Sequence, residues 1–288
     1  MKPAPFRYAA PDTVAEALGL LRSYGQDGKL LAGGQSLVPL LNMRLARPSV
    51  IIDLNRILEL SYIKEDNGEI AVGAMTRQRE AELSPLIRRR LPLLAEALGV
   101  VGHPQIRNRG TIGGSIAHAD PSAELPAVAA ALEAKMVIRD PKGRRVLTPD
   151  EFFLSYLTTA LEPDELLVEV RFPVIPKAGA AFLEVARRHG DYALAGVAVV
   201  VSKNGEQVGT CRLAFTGVGP GPVRIPEAEA AVTGNRLTDR VLQDVRKTVE
   251  ERLDPDSDVH ASAEYRKHVA GVLTVRALRF AAERAGAR

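Results

Sequence analysis

The fold is decided by an apolar run that stops at a pair of glycines, Leu30-Leu31-Ala32-Gly33-Gly34-Gln35-Ser36-Leu37-Val38-Pro39-Leu40-Leu41. The residues before the glycines predict a strand. The stretch from Leu37 to Leu45 predicts a helix that tolerates Pro39 in its first turn. The apolar segment from Val50 to Leu54 then predicts a second buried strand. The N-terminal part of the chain is therefore expected to alternate strand and helix.

The first diglycine also predicts a binding function. Gly33 and Gly34 carry no Cβ, so their main-chain N–H groups can approach an anion closely. With Gln35 and Ser36 as side-chain donors, these residues suit a pyrophosphate, and a nearby helix N-terminus adds a favourable field. A tight turn without a ligand is the alternative, and for this stretch taken alone it is the simpler interpretation.

A second diglycine favours the ligand-binding interpretation over a turn without a ligand. Gly113 and Gly114 again lie between hydroxyl-bearing residues, and small residues with several polar ones follow them. Asp120 with Pro121 predicts a helix start with a carboxylate cap. Small side chains leave room for a flat ring, and a carboxylate can accept hydrogen bonds from ribose hydroxyls. Two such diglycines predict a long dinucleotide that contacts two subdomains, and the alternative is a pair of structural turns.

The rest of the chain predicts shorter elements, with a linker at residues 173–179. Ahead of the linker we expect strands at 69–74, 136–139, 145–147 and 166–172, and helices at 91–99 and 125–132. Beyond it, strands at 181–188, 196–202 and 209–217 and a helix at 263–282 predict a separate domain of three strands packed by helices.

The composition of the chain argues against several classes of function. Aromatic residues make up 5% of the chain and Trp is absent, which argues against a nucleic-acid surface. An N-terminus without the apolar core of a signal peptide, and the lack of an apolar stretch long enough for a membrane span, predict a cytoplasmic protein. The single cysteine, Cys211, excludes an internal disulfide and a four-thiolate iron–sulfur site. The alternating residues around Cys211 predict a thiol that packs in the core. If electrons pass through this protein, the metal centres are expected on other chains.

Common catalytic signatures are missing from the sequence. No G-x-G-x-x-G opens a helix, and neither a Walker P-loop nor a G-x-S-x-G elbow is present. The five histidines lack metal-ligand spacing, and a structural role is the expected one for His118. We therefore predict no catalytic residue and no metal ligand in this chain.

Three stretches resemble one known family, the FAD-binding medium subunits of molybdenum hydroxylases. The segment from Ala32 to Leu45 resembles its first FAD signature, and Thr111 to Ser115 with the residues as far as Pro126 is similar to its second. A third similar stretch is Arg187 to Ala193. This family includes the flavoprotein subunits of aerobic carbon monoxide dehydrogenase and the FAD domain of xanthine dehydrogenase. One departure is Ser115, where the family usually has Asn.

The resemblance implies an α+β fold. It consists of a two-subdomain vanillyl-alcohol-oxidase-like (PCMH-type) FAD-binding fold followed by the C-terminal flavoprotein domain. The expected boundaries are residues 1–57 for FAD-binding subdomain 1, 58–175 for subdomain 2 and 178–288 for the carbon monoxide dehydrogenase flavoprotein C-terminal-like domain.

The same resemblance implies where non-covalent FAD binds. Leu31 to Val38 and Thr111 to Ser115 would surround the pyrophosphate and ribityl chain, while Glu124 matches an acidic position at the flavin and Tyr192 is expected against the isoalloxazine ring. The full set of expected contacts is Leu31, Ala32, Gly33, Gly34, Gln35, Ser36, Leu37, Val101, Thr111, Ile112, Gly113, Gly114, Ser115, Ala117, Asp120, Glu124, Leu167 and Tyr192.

The implied function is electron transfer within an oxidoreductase complex. A small [2Fe-2S] subunit would deliver electrons, a large molybdopterin subunit would oxidise the substrate, and an external acceptor would receive the electrons; the molybdenum cofactor and the clusters are expected on those partner chains. One alternative is a self-contained flavin-dependent oxidase or reductase of the same fold superfamily, which would need its own substrate pocket. Another is an interaction module that has lost its flavin.

Overall fold

A computed structural model describes residues 1–286, and its first sheet is a small parallel one. The strands lie in the order β1-β3-β2, and one helix follows each of the first two. The elements are β1 (Arg7–Ala9), α1 (Val14–Tyr24), β2 (Gly28–Leu31), α2 (Leu37–Asn42) and β3 (Val50–Asp53). Because the strands are parallel, the residues that follow β2 and β3 emerge at the same edge of the sheet.

Local sequence explains both helices of this unit. Thr13 caps α1 by accepting a hydrogen bond from the Glu16 amide at 3.2 Å, and the apolar face of α1 is buried. Helix α2 ends at Asn42, three residues before the predicted Leu45. Arg44 adopts a left-handed conformation with φ +59°, and this stops the helix.

The second unit is built on a five-stranded antiparallel sheet. Its strand order is β4-β5-β10-β6-β7, and a separate two-stranded hairpin, β8-β9, lies beside it. The strands are β4 (Ile63–Asp66), β5 (Glu69–Gly73), β6 (Lys135–Arg139), β7 (Arg144–Leu147), β8 (Phe153–Ser155), β9 (Thr158–Thr159) and β10 (Leu166–Pro173). The helices are α3 (Gln78–Leu83), α4 (Pro85–Arg90), α5 (Pro92–Val100), α6 (Pro104–Arg109), α7 (Ile112–His118), α8 (Glu124–Leu132) and α9 (Pro149–Phe152).

Helix α8 begins later than the sequence predicted. Asp120 is not its cap, and Pro121 is not its first residue. The Asp120 carboxylate instead accepts a hydrogen bond from the Ser122 amide at 2.9 Å, which closes a local turn. The helix then starts at Glu124 and is buried along its whole length.

The C-terminal unit contains a four-stranded antiparallel sheet, one strand more than predicted. The extra strand has two residues and pairs with Ala214 and Phe215 after a glycine-rich turn, so its pattern was too short to read from the sequence. The elements are β11 (Gly179–Ala186), β12 (Ala193–Asn204), β13 (Gln207–Thr216), β14 (Val223–Arg224), α10 (Pro226–Val232), α11 (Asp239–Arg252) and α12 (Ala263–Arg284). The last two residues of the predicted domain, Ala287 and Arg288, lie outside the described part of the chain.

The C-terminal sheet is buried on both faces. One face packs with α5 and α8 of the second unit, and the other packs against α10 and α12, on which α11 lies. At one end of β13 the Thr216 hydroxyl donates to the carbonyls of Pro121 at 3.0 Å and Ala123 at 2.8 Å. This contact ties the third unit to the segment that leads into α8.

Two predictions about single features can be compared with the structure. Cys211 lies on β13 and is buried in the core of the C-terminal unit, which confirms the prediction of a packing thiol. Within residues 1–286, no helix has the length and apolar character that a membrane span requires.

Candidate functional site

The first motif (Leu31 to Leu37) forms an open turn between β2 and α2. Gly34 has φ +76°, a left-handed conformation that favours glycine. The five consecutive main-chain amides of residues 33–37 find no hydrogen-bond acceptor among residues 1–286. Successive unpaired N–H groups around a left-handed residue form a concave anion-binding site. The turn is only partly buried, so a ligand can reach it.

The second motif (Thr111 to Ser115) has a different structure. It is the first turn of α7, with Thr111 as the cap, and not a glycine-rich break. The Gly114 amide donates to the Thr111 hydroxyl at 3.0 Å, and the Gly113 amide donates to the Ala74 carbonyl at 2.9 Å. The prediction that both diglycines expose amides to an anion is therefore wrong for this one.

The glycines of the second motif serve close packing. A Cβ atom built on Gly113 would overlap Ala74, and one on Gly114 would lie 2.6 Å from the Thr111 hydroxyl oxygen and 3.3 Å from the Ala32 Cβ. Glycine is thus required here because neighbouring atoms occupy the space of a side chain.

The two motifs are in direct contact, since a Cβ built on Gly114 would lie 3.3 Å from that of Ala32. Gly33 packs so closely against the main chain of Arg109 and Gly110 that an added Cβ would overlap both. A second link runs through two side chains that the sequence did not single out. Arg77 donates to the Arg109 carbonyl and, at 2.6 Å, to the Asn55 side chain, which in turn donates to the Ala32 carbonyl at 2.9 Å.

Arg77 and Arg109 add positive charge beside the first motif. Burial lowers the pKa of Arg77, and the neighbouring Arg109 lowers it further. Two guanidinium groups that repel each other next to unpaired amides favour the arrival of an anion. Neither Arg77 nor Asn55 belongs to a recognisable pattern, so only the folded chain reveals them.

Tyr192 belongs to the third motif (Arg187 to Ala193) and links the first motif to the segment after α7. Its phenol is near enough to Ser36 and Asp120 for both to affect its pKa. Desolvation by surrounding protein atoms, followed by the charge of Asp120, raises the pKa of Tyr192 to about 12. The tyrosine still exposes 55% of its surface, which leaves an aromatic face available to a ligand.

Val101 and Leu167, the expected apolar contacts of the flavin, expose little side-chain surface to a ligand. Val101 directly follows α5 and is 8% exposed, and Leu167 on β10 is 4% exposed. The third motif reaches the Val101 region because Gly190, with φ +87°, packs on His103 and on the main chain of Gly102. The other candidates lie on or directly beside the first two motifs and are Leu31, Gln35, Leu37, Ile112, Ser115 and Ala117.

Beyond Asp120 lie two further acidic residues, Glu124, which is buried, and Glu184, which is half-buried. Glu124 opens α8 and is 4% exposed, and burial raises its pKa to about 7. Glu184 on β11 was not predicted from the sequence. Burial, followed by the charge of Glu124, raises the pKa of Glu184 to about 8. By contrast, burial lowers the pKa of His118, which favours the neutral ring expected of a structural residue.

A separate cavity of about 640 Å³ does not include these residues. It lies between the start of α1 and the sheet face formed by β4, β6 and β10. Several cations and carboxylates line it, and one of these carboxylates, Glu169, is already bound by Tyr62 and Arg171. The candidate site is therefore the junction of the three motifs rather than this cavity.

The chain matches two family models that together cover almost all of it. The model described as the FAD binding domain in molybdopterin dehydrogenase matches residues 4–175. The model described as the CO dehydrogenase flavoprotein C-terminal domain matches residues 180–281.

Curated relatives and solved structures agree with these matches. The carbon monoxide dehydrogenase medium chain of Hydrogenophaga pseudoflava is 42% identical over 96% of this chain and 97% of the relative. Subunit alpha of the 6-hydroxypseudooxynicotine dehydrogenase complex of Paenarthrobacter nicotinovorans is 43% identical over 99% and 97%. The solved carbon monoxide dehydrogenase from Hydrogenophaga pseudoflava superposes with a TM-score of 0.97 at 43% identity, covering 99% of this chain and 100% of that one. These findings confirm the predicted α+β fold and the resemblance.

Proposed function

Because the chain belongs to the family of FAD-binding medium subunits of the carbon monoxide dehydrogenase and xanthine dehydrogenase type, we propose that it is the electron-transfer subunit of a molybdenum hydroxylase. In this proposal it takes electrons from a partner subunit with [2Fe-2S] clusters and passes them to an external acceptor. Substrate oxidation takes place on a third, molybdopterin-containing subunit. Relatives that are named as subunits or medium chains of dehydrogenases support this division of labour.

The observation that carries the proposal is the row of five unpaired amides in the first motif. A diphosphate carries several acceptor oxygens and negative charge, which match consecutive N–H donors with Arg77 and Arg109 nearby. Five consecutive amides without a protein acceptor, in a turn that is only partly buried, can all donate to a ligand that reaches the turn. The residues present therefore fit the diphosphate of FAD.

We propose distinct roles for the other candidate residues. The second motif supports the first by close packing and contributes Ser115 as a polar contact. Tyr192 offers its aromatic face, and Glu124 offers a carboxyl group. Val101 and Leu167 exclude water at the apolar end. When bound, FAD accepts and releases electrons singly or in pairs, and the protein supplies binding, orientation and tuning.

The cysteine content supports the need for partners. With one buried cysteine, the chain cannot hold a cluster with four thiolate ligands. Among residues 1–286, no group of three or more His, Cys, Asp or Glu side chains is arranged to hold a metal ion. A one-electron donor must therefore come from another chain.

We also propose the domain boundaries 1–57, 58–175 and 178–288. Three hydrophobic clusters support them, since each has its centre in a different unit. The cytoplasmic location stays a prediction from the sequence.

The test is to express the full chain alone and together with its partner subunits. The chain alone should contain about one flavin per molecule by its absorbance spectrum and should not oxidise an organic substrate. Adding substrate should bleach the flavin only when the partner subunits are present. Substrate turnover by the chain alone would instead support the self-contained oxidase or reductase, and a colourless folded chain would support the interaction module.

A further inference from the structure

Helix α2 and the residues that follow it present apolar side chains to solvent directly after the first motif. Val38, Met43 and Leu45 are exposed, and 73% of the Leu45 surface is accessible. Pro39 is exposed as well, and its carbonyl accepts the Met43 amide at 2.9 Å, so these two residues lie one helical turn apart. Together the four residues form the α2 patch. Apolar residues that stay exposed side by side are typical of a surface that another molecule covers.

The α2 patch is in contact with the first motif. The Val38 amide donates to the Gly34 carbonyl at 3.0 Å, and a Cβ built on Gly34 would lie 3.2 Å from the Val38 Cγ2. Helix α2 begins at Leu37, directly after Ser36, which is near enough to Tyr192 to affect its pKa. The patch therefore borders the turn to which we assign the diphosphate of FAD. A protein bound to the patch would lie beside the cofactor.

Three cations accompany the α2 patch and are joined by hydrogen bonds. The Arg44 guanidinium donates to the Lys2 carbonyl at 3.2 Å, and that of Arg47 donates to the Arg44 carbonyl at 2.9 Å. All three are exposed, and none forms an ion pair within the described part of the chain. No Asp or Glu occurs in residues 1–11 or 28–52. Their positive charge is therefore left for a partner that carries carboxylates.

This combination of residues indicates the chemistry of the partner. Met and Arg are enriched in protein–protein interfaces, and charges of one sign favour a partner face of the opposite sign. A second copy of this chain would bring like cations together, which repulsion disfavours. Binding to a lipid surface grows with the buried apolar area, and the six residues of α2 offer little of it. An acidic protein face fits the patch best.

We propose that the α2 patch is the surface on which the electron-donating [2Fe-2S] subunit docks, through apolar residues surrounded by carboxylates. Docking there places the donor beside the first motif, and the positive charge of Lys2, Arg44 and Arg47 attracts the acidic face and fixes its orientation. This inference rests on the proposed function, which supplies the partner subunit. It adds the surface used on this chain and the chemistry of the face that binds it.

The experiment measures binding of the FAD-loaded full chain to a complex of the other two proposed subunits, by calorimetric titration. Leu45→Glu should weaken binding by about tenfold or more, because a charge that repels the acidic face replaces an apolar contact. The FAD content of this variant should equal that of wild type, since Leu45 lies outside the first motif. Equal affinity of wild type and Leu45→Glu would overturn the inference.

The contribution of charge is tested separately with Arg47→Glu. This variant should also bind more weakly than wild type at low salt. The difference between the two should shrink at about 0.5 M salt, because ions screen the attraction between Arg47 and the acidic face. A difference that is absent at every salt concentration would contradict an acidic partner face and overturn the inference.

A matched control is Phe280→Glu. Phe280 is also a large apolar residue exposed to solvent, and it lies on α12, on the side of the C-terminal sheet that faces away from the second unit. Its replacement adds the same negative charge and should leave the affinity unchanged. An equal loss of affinity in Phe280→Glu and Leu45→Glu would mean that net charge alone governs binding, and would overturn the inference.

A second measurement uses only the wild-type chain and so does not depend on a variant that folds. Hydroxyl-radical footprinting should oxidise the exposed Met43 side chain in the chain alone. The partner subunits should protect Met43 and leave the oxidation of Phe280 unchanged. Met43 that is oxidised equally with and without the partner subunits would overturn the inference.

The remaining outcomes identify other occupants of the patch. A wild-type dimer that Leu45→Glu converts to a monomer, in sedimentation of the chain alone, would assign the patch to a second copy. Retention of wild type but not Leu45→Glu on vesicles of phosphatidylcholine and phosphatidylserine would assign it to a lipid surface. Either result would overturn the inference. A wild-type chain that carries no FAD or binds no partner subunit would contradict the proposed function instead, so the failures are distinguishable.

Discussion

The two diglycine segments look alike in the sequence but differ in their hydrogen bonding. At Gly33–Gly34 five consecutive amides are free of protein acceptors among residues 1–286, whereas at Gly113–Gly114 the amides are bound within the protein. The first pair follows a strand and stays open. The second pair opens a helix and packs against β5 and the first motif.

This difference shows that glycine is selected for two separate physical reasons. Gly34 is needed for its left-handed conformation, and Gly113 is needed because Ala74 occupies the space of a side chain. A diglycine therefore does not identify an anion site by itself. The number of main-chain amides left unpaired after folding is the better criterion.

Replacing Gly34 with Val should have the largest effect, a strong loss of FAD affinity. A β-branched residue at φ +76° is strained, and its side chain would press on Val38 and Leu31. We expect FAD binding to weaken by about 2 to 4 kcal/mol, or at least about 30-fold, in a titration of apoprotein followed by flavin fluorescence.

A matched control for this variant is Gly68→Val. Gly68 has nearly the same backbone conformation, with φ +80°, but it lies in the turn between β4 and β5 with open space around it. Its replacement should lower stability and leave FAD affinity unchanged. Equal loss of affinity in both variants would mean that the first motif binds no diphosphate.

Replacing Gly113 with Ala should affect stability first. The added methyl overlaps Ala74, and overpacking of this kind costs about 1 to 3 kcal/mol. The apoprotein should unfold at lower denaturant concentration. Gly99→Ala on α5 has open space and should instead gain about 0.5 to 1 kcal/mol. Unchanged apoprotein stability together with a loss of FAD affinity would reverse the roles assigned to the two diglycines.

Stability should also depend on pH through the acidic pair near the second motif. The folded pKa values of Glu124 and Glu184, about 7 and about 8, lie above those of an unfolded chain. A raised carboxyl pKa stabilises the fold at low pH, and this stability is lost as the pH rises through the folded values. Glu184→Gln should therefore gain on the order of 1 to 2 kcal/mol relative to wild type at about pH 9 and little at about pH 5, in chemical denaturation. An equal effect at both pH values would contradict this.

Replacing Asn55 with Ala should have the smallest of these effects, a modest loss of FAD affinity. The Ala32 carbonyl loses its donor, and Arg77 loses one partner, so the first motif is held less firmly. We expect FAD to bind about fivefold more weakly, which corresponds to about 1 kcal/mol. The control is Asn235→Ala, which removes a similar side-chain-to-carbonyl bond, at 3.1 Å, far from the three motifs. Equal affinities in both variants would show that the link is dispensable.

The parts of the fold that could be predicted from the sequence are those determined by residues close to one another along the chain. The turn after β2 and the long helix α12 follow from local pattern and composition. The start of α8 could not be read this way, because Thr216, almost a hundred residues away, holds the carbonyls of Pro121 and Ala123. The predicted cap at Asp120 satisfied a local rule that this distant contact overrides.

The residues of the candidate site fall into the same two groups: those in contiguous motifs, which the sequence reveals, and those that only the fold brings together. The three motifs were visible because they are contiguous, and the family could be recognised from them. Arg77, Asn55 and Glu184 act through contacts with residues far away in the sequence, such as the bond from Arg77 to Asn55 and the interaction of Glu184 with Glu124. Single polar residues in ordinary helices and strands carry no pattern that marks them.

The lone sulfhydryl of the chain makes it possible to watch one unit open without introducing a probe. Cys211 is 6% exposed, and burial raises the pKa of its thiol to about 12, so in the native state it is both shielded and protonated. A thiol-specific reagent can therefore modify it only in molecules in which the core around Cys211 has opened. The labelling rate would report the free energy of that opening event directly, independently of any signal from the flavin.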